Sequence, residues 1–175
     1  IENKIVLLGA GNAHLQIVKW WGMGPIPGAS LTLVSDSSST VYSGMIPGYL
    51  AGQYDLEEIS IDVSRLCAVS GVEFIRASAN GIDPETKQLQ IPKRPPIRYD
   101  VLSVNAGSRP AVPPAPMDPR RSLFLKPFGT LPERVRRIEE RITSMKRSFH
   151  VAVVGSGAGG FEICLALHRR WGGSD

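Results

Sequence analysis

Short apolar runs punctuate the chain at intervals suited to strands that alternate with helices. Lys4 to Leu8 (KIVLL) is almost continuously apolar and stops at Gly9, the pattern of a strand buried on both faces of a parallel sheet. From about Asn12 to Trp21 the apolar side chains Ala13, Ile17, Val18 and Trp21 recur at helical spacing, until Gly22, Gly24, Pro25, Pro27 and Gly28 stop the helix and return the chain. Leu31 to Val34 (LTLV) predicts a second buried strand. A strand, a glycine turn, a helix and a second strand in about thirty residues form the smallest piece of a doubly wound fold.

Beyond a polar loop, Ser35 to Thr40, the segment VYSGMIPGYLAG carries Gly44, Pro47, Gly48 and Gly52, which forbid a long regular element and leave short helical turns whose apolar residues need a partner surface. The pattern then predicts a helix at Asp62 to Val69 and a strand at Val72 to Ala77. A turn follows at Asp83-Pro84-Glu85-Thr86, then a strand at Gln88 to Ile91. Pro92, Pro95 and Pro96 break the chain before another buried strand at Val101 to Val104. Together these read as a small antiparallel excursion that returns to the parallel sheet. Pro110, Pro113, Pro114, Pro116 and Pro119 mark a semi-extended connector. Thr130 to Glu133 (TLPE) has the form of a capping box opening a helix with an apolar stripe at Leu131, Val135, Ile138, Ile142 and Met145. Its other face carries Arg134, Arg137 and Arg141, read as a solvated face with pairs such as Glu133–Arg137. Val151 to Val154 (VAVV) predicts a strand running into GSGAGG and the helix-forming FEICLALHRRW. The expected class is α/β, with a first Rossmann-like domain over 1–112, a connector over 113–129 and the opening of a second Rossmann-like domain over 130–175.

Composition narrows the function. With 42% hydrophobic and 21% charged residues, 175 residues bury a real core. The net charge of +4 is spread without a run of like charges, which weighs against nucleic acid as a partner. Cys67 and Cys164 lie far apart with no CxxC and no histidine cluster, so neither a disulfide framework nor a metal site is expected, and a reducing, cytoplasmic compartment fits. No apolar run approaches the about eighteen residues needed to span a bilayer, and IENKIVLL is not a secretory signal. Starting without Met and stopping just after a motif has opened, the chain reads as a piece of a longer protein.

The chemistry sits in the glycine turns. Gly9-Ala10-Gly11-Asn12-Ala13-His14 stands where a dinucleotide fingerprint has GxGxxG. Gly9 permits the tight turn, Gly11 a close backbone approach, and the amides of Asn12 and Ala13 with the helix dipole suit a diphosphate. The third glycine is replaced by His14, which either turns its ring toward a ligand or packs at the first helical turn. Gly155, Gly157 and Gly160 keep all three glycines. Two such turns, each behind its own apolar strand, outweigh a chance glycine turn. Ser35 and Asp36 end the second strand, where an acid binds ribose hydroxyls; Asp36 is a ligand there or a loop-capping aspartate. Tyr42 and Met45 are candidates to line the pocket. No side chain is required as a general acid or base, so no catalytic residue is assigned.

The order of these motifs, with Asn105, Ala106, Gly107 and Ser108 in YDVLSVNAGSRP between the two turns, resembles the pyridine nucleotide-disulfide oxidoreductase superfamily. The resemblance implies FAD in the first domain, with Gly107 passing close to the flavin nucleotide, and NAD(P)H in the second domain of the complete parent. Where the disulfide reductases of that family carry CxxxxC, this chain has Tyr42-Ser43-Gly44-Met45, so a dithiol relay is not expected; Cys67 reads as a buried small hydrophobe and Cys164 as a core residue of the last helix. What remains resembles type II NADH dehydrogenases, and GAGNAHLQ, LTLVSD and VYSGMIPGYLAG are similar to the NADH-dehydrogenase-like flavoprotein found beside or fused to selenide,water dikinase. The likeness implies hydride transfer from NAD(P)H to FAD and on to a small-molecule acceptor, or a flavin-binding accessory module of that dikinase, within a longer parent whose turnover this piece lacks. An exposed sheet edge makes a homodimer a further expectation.

Overall fold

The computed structural model describes residues 3–108, 118, 120–145 and 148–172. They fall into two compact units, one built from 1–40 and 61–108 and the other from 41–60 and 109–175.

In the first unit the strand β1 (Asn3–Leu8) leads through the glycine turn into helix α1 (Asn12–Met23) and back to β2 (Ala29–Ser35). β1 and β2 pair in parallel with Leu7 opposite Leu33. Strands β3 (Ser39–Val41) and β4 (Ser60–Asp62) pair where the chain leaves this unit and re-enters it. Helix α3 (Val63–Val69) begins one residue later than its pattern suggests, because Asp62 caps it by accepting from the Arg65 amide at 2.9 Å. β5 (Glu73–Arg76) then joins β2 in parallel. A three-stranded antiparallel sheet of β6 (Gly81–Asp83), β7 (Gln88–Gln90) and β8 (Ile97–Arg98) forms the excursion, and β9 (Val101–Val104) returns to pair with β1. β6 and β8 are too short to leave a periodic signal, so the sequence pattern showed only the middle strand.

The parallel sheet therefore runs β5-β2-β1-β9. Successive strands move outward on one side of β1 and then jump to the other, and the switch point between β1 and β9 is where ligands of such sheets sit. One face of the sheet packs under α1 and α3, with Leu7, Leu15, Val18, Leu31, Leu33, Val63 and Cys67 all buried. The other face buries Val6 and Val34 against Leu89, Ile91 and Tyr99 of the antiparallel sheet. Both faces being covered explains the nearly unbroken apolar runs of β1 and β2.

The second unit contains helices α2 (Ile46–Leu50), α4 (Leu131–Ser144) and α5 (Ala158–Trp171). Ile46, Leu50 and Ile59 share a core with Leu131, Val135, Ile163 and Leu167. This is the partner surface that VYSGMIPGYLAG requires, and it places 41–60 with the later helices and not with a continuous first domain over 1–112. Of the connector expected over 113–129, residues 113–117 and 119 lie outside the described residues, and 128–129 belong to a short 3-10 turn that leads into α4.

Three local expectations give way to tertiary structure. Thr130 is the last residue of a short 3-10 turn, has ψ 5° and makes no side-chain cap, so the capping box does not close. The Thr130 hydroxyl accepts from Arg134 instead, which also donates to the carbonyls of Phe124, Lys126, Pro127 and Thr130. It is a staple for the loop before α4, while Arg137 does pair with Glu133, at 3.4 Å. Residues 151–154 form no strand: among the described residues no neighbour pairs with them, and Val154 is 89% exposed. Cys164 is exposed beside Phe161 and Leu165 on the open face of α5, and is not a core residue.

Leu33, fully buried at the centre of the first core, supplies a test of this packing: Leu33→Ala is expected to lower stability by about 2–5 kcal/mol in urea unfolding.

Candidate functional site

The carboxyl ends of β1 and β9 meet at the switch point. Gly9 has φ +94°, a left-handed conformation that only glycine adopts without strain, and turns the chain out of β1. Its amide donates to Val34 O at 2.7 Å. On the other side, the Asn105 amide donates to Leu8 O at 2.8 Å, and Asn105 O accepts from the Gly11 amide at 3.2 Å. The chain leaving β9 thus lies directly on the turn leaving β1. A Cβ on Gly9 would overlap the Asn105 and Ala106 backbone, and one on Gly11 would overlap the Asn105 side chain. The glycine at 11 is therefore demanded by Asn105, a contact the fingerprint does not reveal.

Gly11 is the N-cap of α1 and offers no side-chain cap, and the first turn carries no acid. The first bond of the helix ladder is Leu15 N–H to Gly11 O, at 3.1 Å. The amides from Asn12 to His14 precede it and point out of the helix end, where their partial positive charge favours an anion.

His14 is 1% exposed. Its Nδ1 lies 2.7 Å from Gly9 O and its Nε2 2.9 Å from the Ser103 hydroxyl on β9. Both ring nitrogens are engaged by protein groups, so neither is left for a ligand. The ring packs inward at the first helical turn, and desolvation holds its pKa below the usual 6.5, against a smaller opposing effect of the bond to Gly9.

At the end of β2, Ser35 is buried and its hydroxyl faces the Ser37 amide at 3.5 Å. Asp36 is exposed; its backbone oxygen accepts from Arg76 Nε at 3.4 Å, and its carboxylate accepts no hydrogen bond among the described residues. The turn-forming role weighed for Asp36 belongs to Ser37, whose hydroxyl donates to Ser39 O at 2.7 Å and accepts from the Ser39 amide at 3.2 Å. Gly107 has φ +81°, and a Cβ there would meet no protein atom, so its glycine is required by backbone conformation and not by crowding.

Gly9, Gly11, Asn12, Ala13, His14, Ser35, Asp36 and Gly107 all belong to the first unit. Tyr42 and Met45 belong to the second: Met45 borders its core, and Tyr42 is exposed with its ring against Gly44. In that unit the other glycine turn repeats the design. Gly155 has φ +128°, Gly157 is the uncapped N-cap of α5, and Gly160 sits so close to Gly155 O that a Cβ would overlap it. Sequence reasoning missed Asn105 as a packing element, Ser103 and Arg76; each is visible only once β9 and β5 are placed beside β1 and β2.

Among the described residues no group of His, Cys, Asp and Glu side chains is arranged to hold a metal, and no helix is long and apolar enough to cross a membrane.

The family model of pyridine nucleotide-disulphide oxidoreductases matches residues 3–173. The alternative NAD(P)H-ubiquinone oxidoreductase C1 of Arabidopsis thaliana is 27% identical over 162 residues, 80% of this chain and 30% of that protein. The sulfide-quinone reductase of Aquifex aeolicus is 27% identical over 84 residues, 48% of this chain and 20% of that one. Among solved structures, the water-forming NADH oxidase of Lactobacillus brevis bound to NADH superposes with a TM-score of 0.72 at 21% identity, over 96% of this chain and 38% of the oxidase. The chain thus spans a fifth to about two fifths of the length of these proteins.

Two measurements check the buried groups. Burial pushes the Cys67 thiol up to about 11, so native protein treated with iodoacetamide near pH 8 should be alkylated at Cys164 and spared at Cys67, as read by peptide mass spectrometry. A buried imidazole whose pKa is depressed binds fewer protons than it does in the unfolded chain. Its neutral form costs nothing above about pH 6.5, and stability falls as pH drops below that value. His14→Asn should flatten this acid limb in urea midpoints measured from about pH 7 to 5.

Proposed function

This chain belongs to the pyridine nucleotide-disulphide oxidoreductase family, and from that premise we propose that its first unit binds FAD and its second glycine turn serves NAD(P)H, in a longer oxidoreductase that passes electrons to an external acceptor without a redox-active disulfide. The family is one of flavin- and pyridine-nucleotide-dependent enzymes, and the α/β fold with its parallel sheet matches it. The observation that carries the reading is the uncapped head of α1 behind the Gly9–Gly11 turn, set at the β1/β9 switch point.

The residues present fit that cofactor. The helix end lacks a side-chain cap and an acid, either of which would compete with a diphosphate. The Asp36 carboxylate, at the end of the neighbouring strand and with its acceptors open, suits a pair of ribose hydroxyls. When bound, the flavin supplies the hydride acceptance and electron transfer. This chain's residues bind and orient: Gly9 and Gly11 shape the turn, the amides of Asn12 and Ala13 take phosphate oxygens, and Asp36 fixes the adenosine end.

A dithiol relay is left out on chemical grounds. The segment Tyr42-Ser43-Gly44-Met45 offers no thiol, and Cys67 lies in the first core, protonated at neutral pH. The quinone-linked names of the Arabidopsis and Aquifex relatives favour a quinone as acceptor. The narrower alternative, an accessory module of selenide,water dikinase, is supported by the sequence likeness of GAGNAHLQ, LTLVSD and VYSGMIPGYLAG. Stopped-flow reoxidation of the longer protein by a panel of quinones and oxidised selenium compounds separates the two.

The binding claim is tested directly on this chain. Titration with FAD, followed by quenching of flavin fluorescence, should saturate, and Asp36→Ala should weaken the affinity about tenfold. Protein that is colourless as purified and leaves FAD fluorescence unchanged on titration would refute the assignment.

A further inference from the structure

The two glycine turns solve one steric problem in different ways. In each, the carbonyl of the first glycine points toward the residue five places on. In the second turn Gly160 meets Gly155 O by having no side chain at all. In the first turn the same place is held by His14, whose Nδ1 lies 2.7 Å from Gly9 O. A glycine lets helix and turn pack in contact. The histidine replaces that contact with a hydrogen bond, and adds a second one, at 2.9 Å, to Ser103 on β9.

The chemistry of the partners fixes the ring's state. A carbonyl oxygen only accepts, so the proton sits on Nδ1 and Gly9 O receives it. Nε2 then carries a lone pair and accepts from the Ser103 hydroxyl. Ser103 lies two residues before Asn105, whose backbone bonds both Leu8 O and the Gly11 amide. The turn leaving β1 is therefore tied to β9 twice, once by the Asn105 main chain on its outer side and once through the His14 ring beneath it.

We propose that His14, as its Nδ1-protonated tautomer relayed to Ser103, is the positioning residue of the diphosphate turn: it holds the Gly9 peptide so that the amides at the head of α1 stay aimed at the anion. The inference rests on the FAD reading above and adds to it the residue that keeps the turn in its binding shape. A turn held in advance loses less freedom on binding, so the effect falls on affinity. His14 acts through Gly9 and touches no ligand itself.

The test uses the whole chain and four proteins: wild type, His14→Leu, His14→Asn and Ser103→Ala. Asparagine places an amide N–H where Nδ1 stands and keeps the donor to Gly9; leucine fills the space and keeps no donor. FAD dissociation constants come from fluorescence titration, ligand-free melting temperatures control for folding, and long-range proton–nitrogen spectra of the wild-type imidazole read the tautomer. The expected results are an Nδ1-protonated, neutral His14 at neutral pH, an affinity about tenfold weaker for His14→Leu, recovery to within about threefold for His14→Asn, and an intermediate loss for Ser103→Ala. A proton on Nε2 would overturn the proposal, as would wild-type affinity in the leucine variant or an asparagine variant as weak as leucine despite equal melting temperatures. Should the leucine variant fail to fold, the wild-type tautomer and the Ser103→Ala constant decide the matter. A wild-type protein that binds no FAD while showing the Nδ1 tautomer would overturn the flavin reading and this role together. Normal FAD binding with the wrong tautomer would overturn the role of His14 alone.

Discussion

The first unit is organised around the place where the chain leaving β9 lies against the turn leaving β1. Asn105 bonds Leu8 O with its amide and the Gly11 amide with its carbonyl, and it occupies the space that side chains at 9 and 11 would need. Two parallel strands that are neighbours in space but distant in sequence are thereby locked at their carboxyl ends. The lock sets the direction of the chain into α1, and so the direction in which the amides of its first turn point. Glycine at 9 and 11 is thus a requirement of the fold itself, independent of the anion proposed to bind there.

The same economy appears in the basic residues. A pI near 9.3 invites a search for an anionic partner. Arg134 spends its guanidinium on the main-chain carbonyls of the loop before α4, and Arg141 donates to Arg120 O at 3.1 Å. Arg170 bridges Glu139 at 2.5 Å and the carbonyls of Tyr49 and Leu50 at 3.0 and 3.3 Å, joining α2, α4 and α5. These carbonyls lie at helix ends or in the loop before α4, and a planar guanidinium with five N–H groups satisfies several at once. Arg134, Arg141 and Arg170 of the second unit thus serve as donors to the main chain.

The comparison of the two glycine turns shows how far a motif constrains a site. Both place an uncapped helix end behind a left-handed glycine. They differ at the third position, where one relies on absence of bulk and the other on a buried hydrogen-bonded ring. The outcome, a fixed first-glycine carbonyl, is shared. The means differ in chemistry, since a packed glycine is indifferent to pH and an imidazole is not.

KIVLL, LTLV and VLSV announce themselves as strands, and Asn12 to Trp21 as a helix, because burial on both faces of a parallel sheet leaves an unbroken apolar run and burial on one face of a helix leaves a period near 3.6. The glycine turns and the α/β class follow from that punctuation. What tertiary structure alone decided is the choice of partner. VAVV has the composition of a strand but pairs with nothing among the described residues; TLPE has the letters of a capping box but yields to Arg134; and 41–60 reads as an orphan loop until Leu131, Val135 and Ile163 cover it. His14 was equally compatible with a ligand or with the core until β9 brought Ser103 to its ring across 89 positions of chain. Periodicity is a local property and is written in neighbouring residues, whereas a hydrogen bond between distant segments depends on which strands the topology sets side by side.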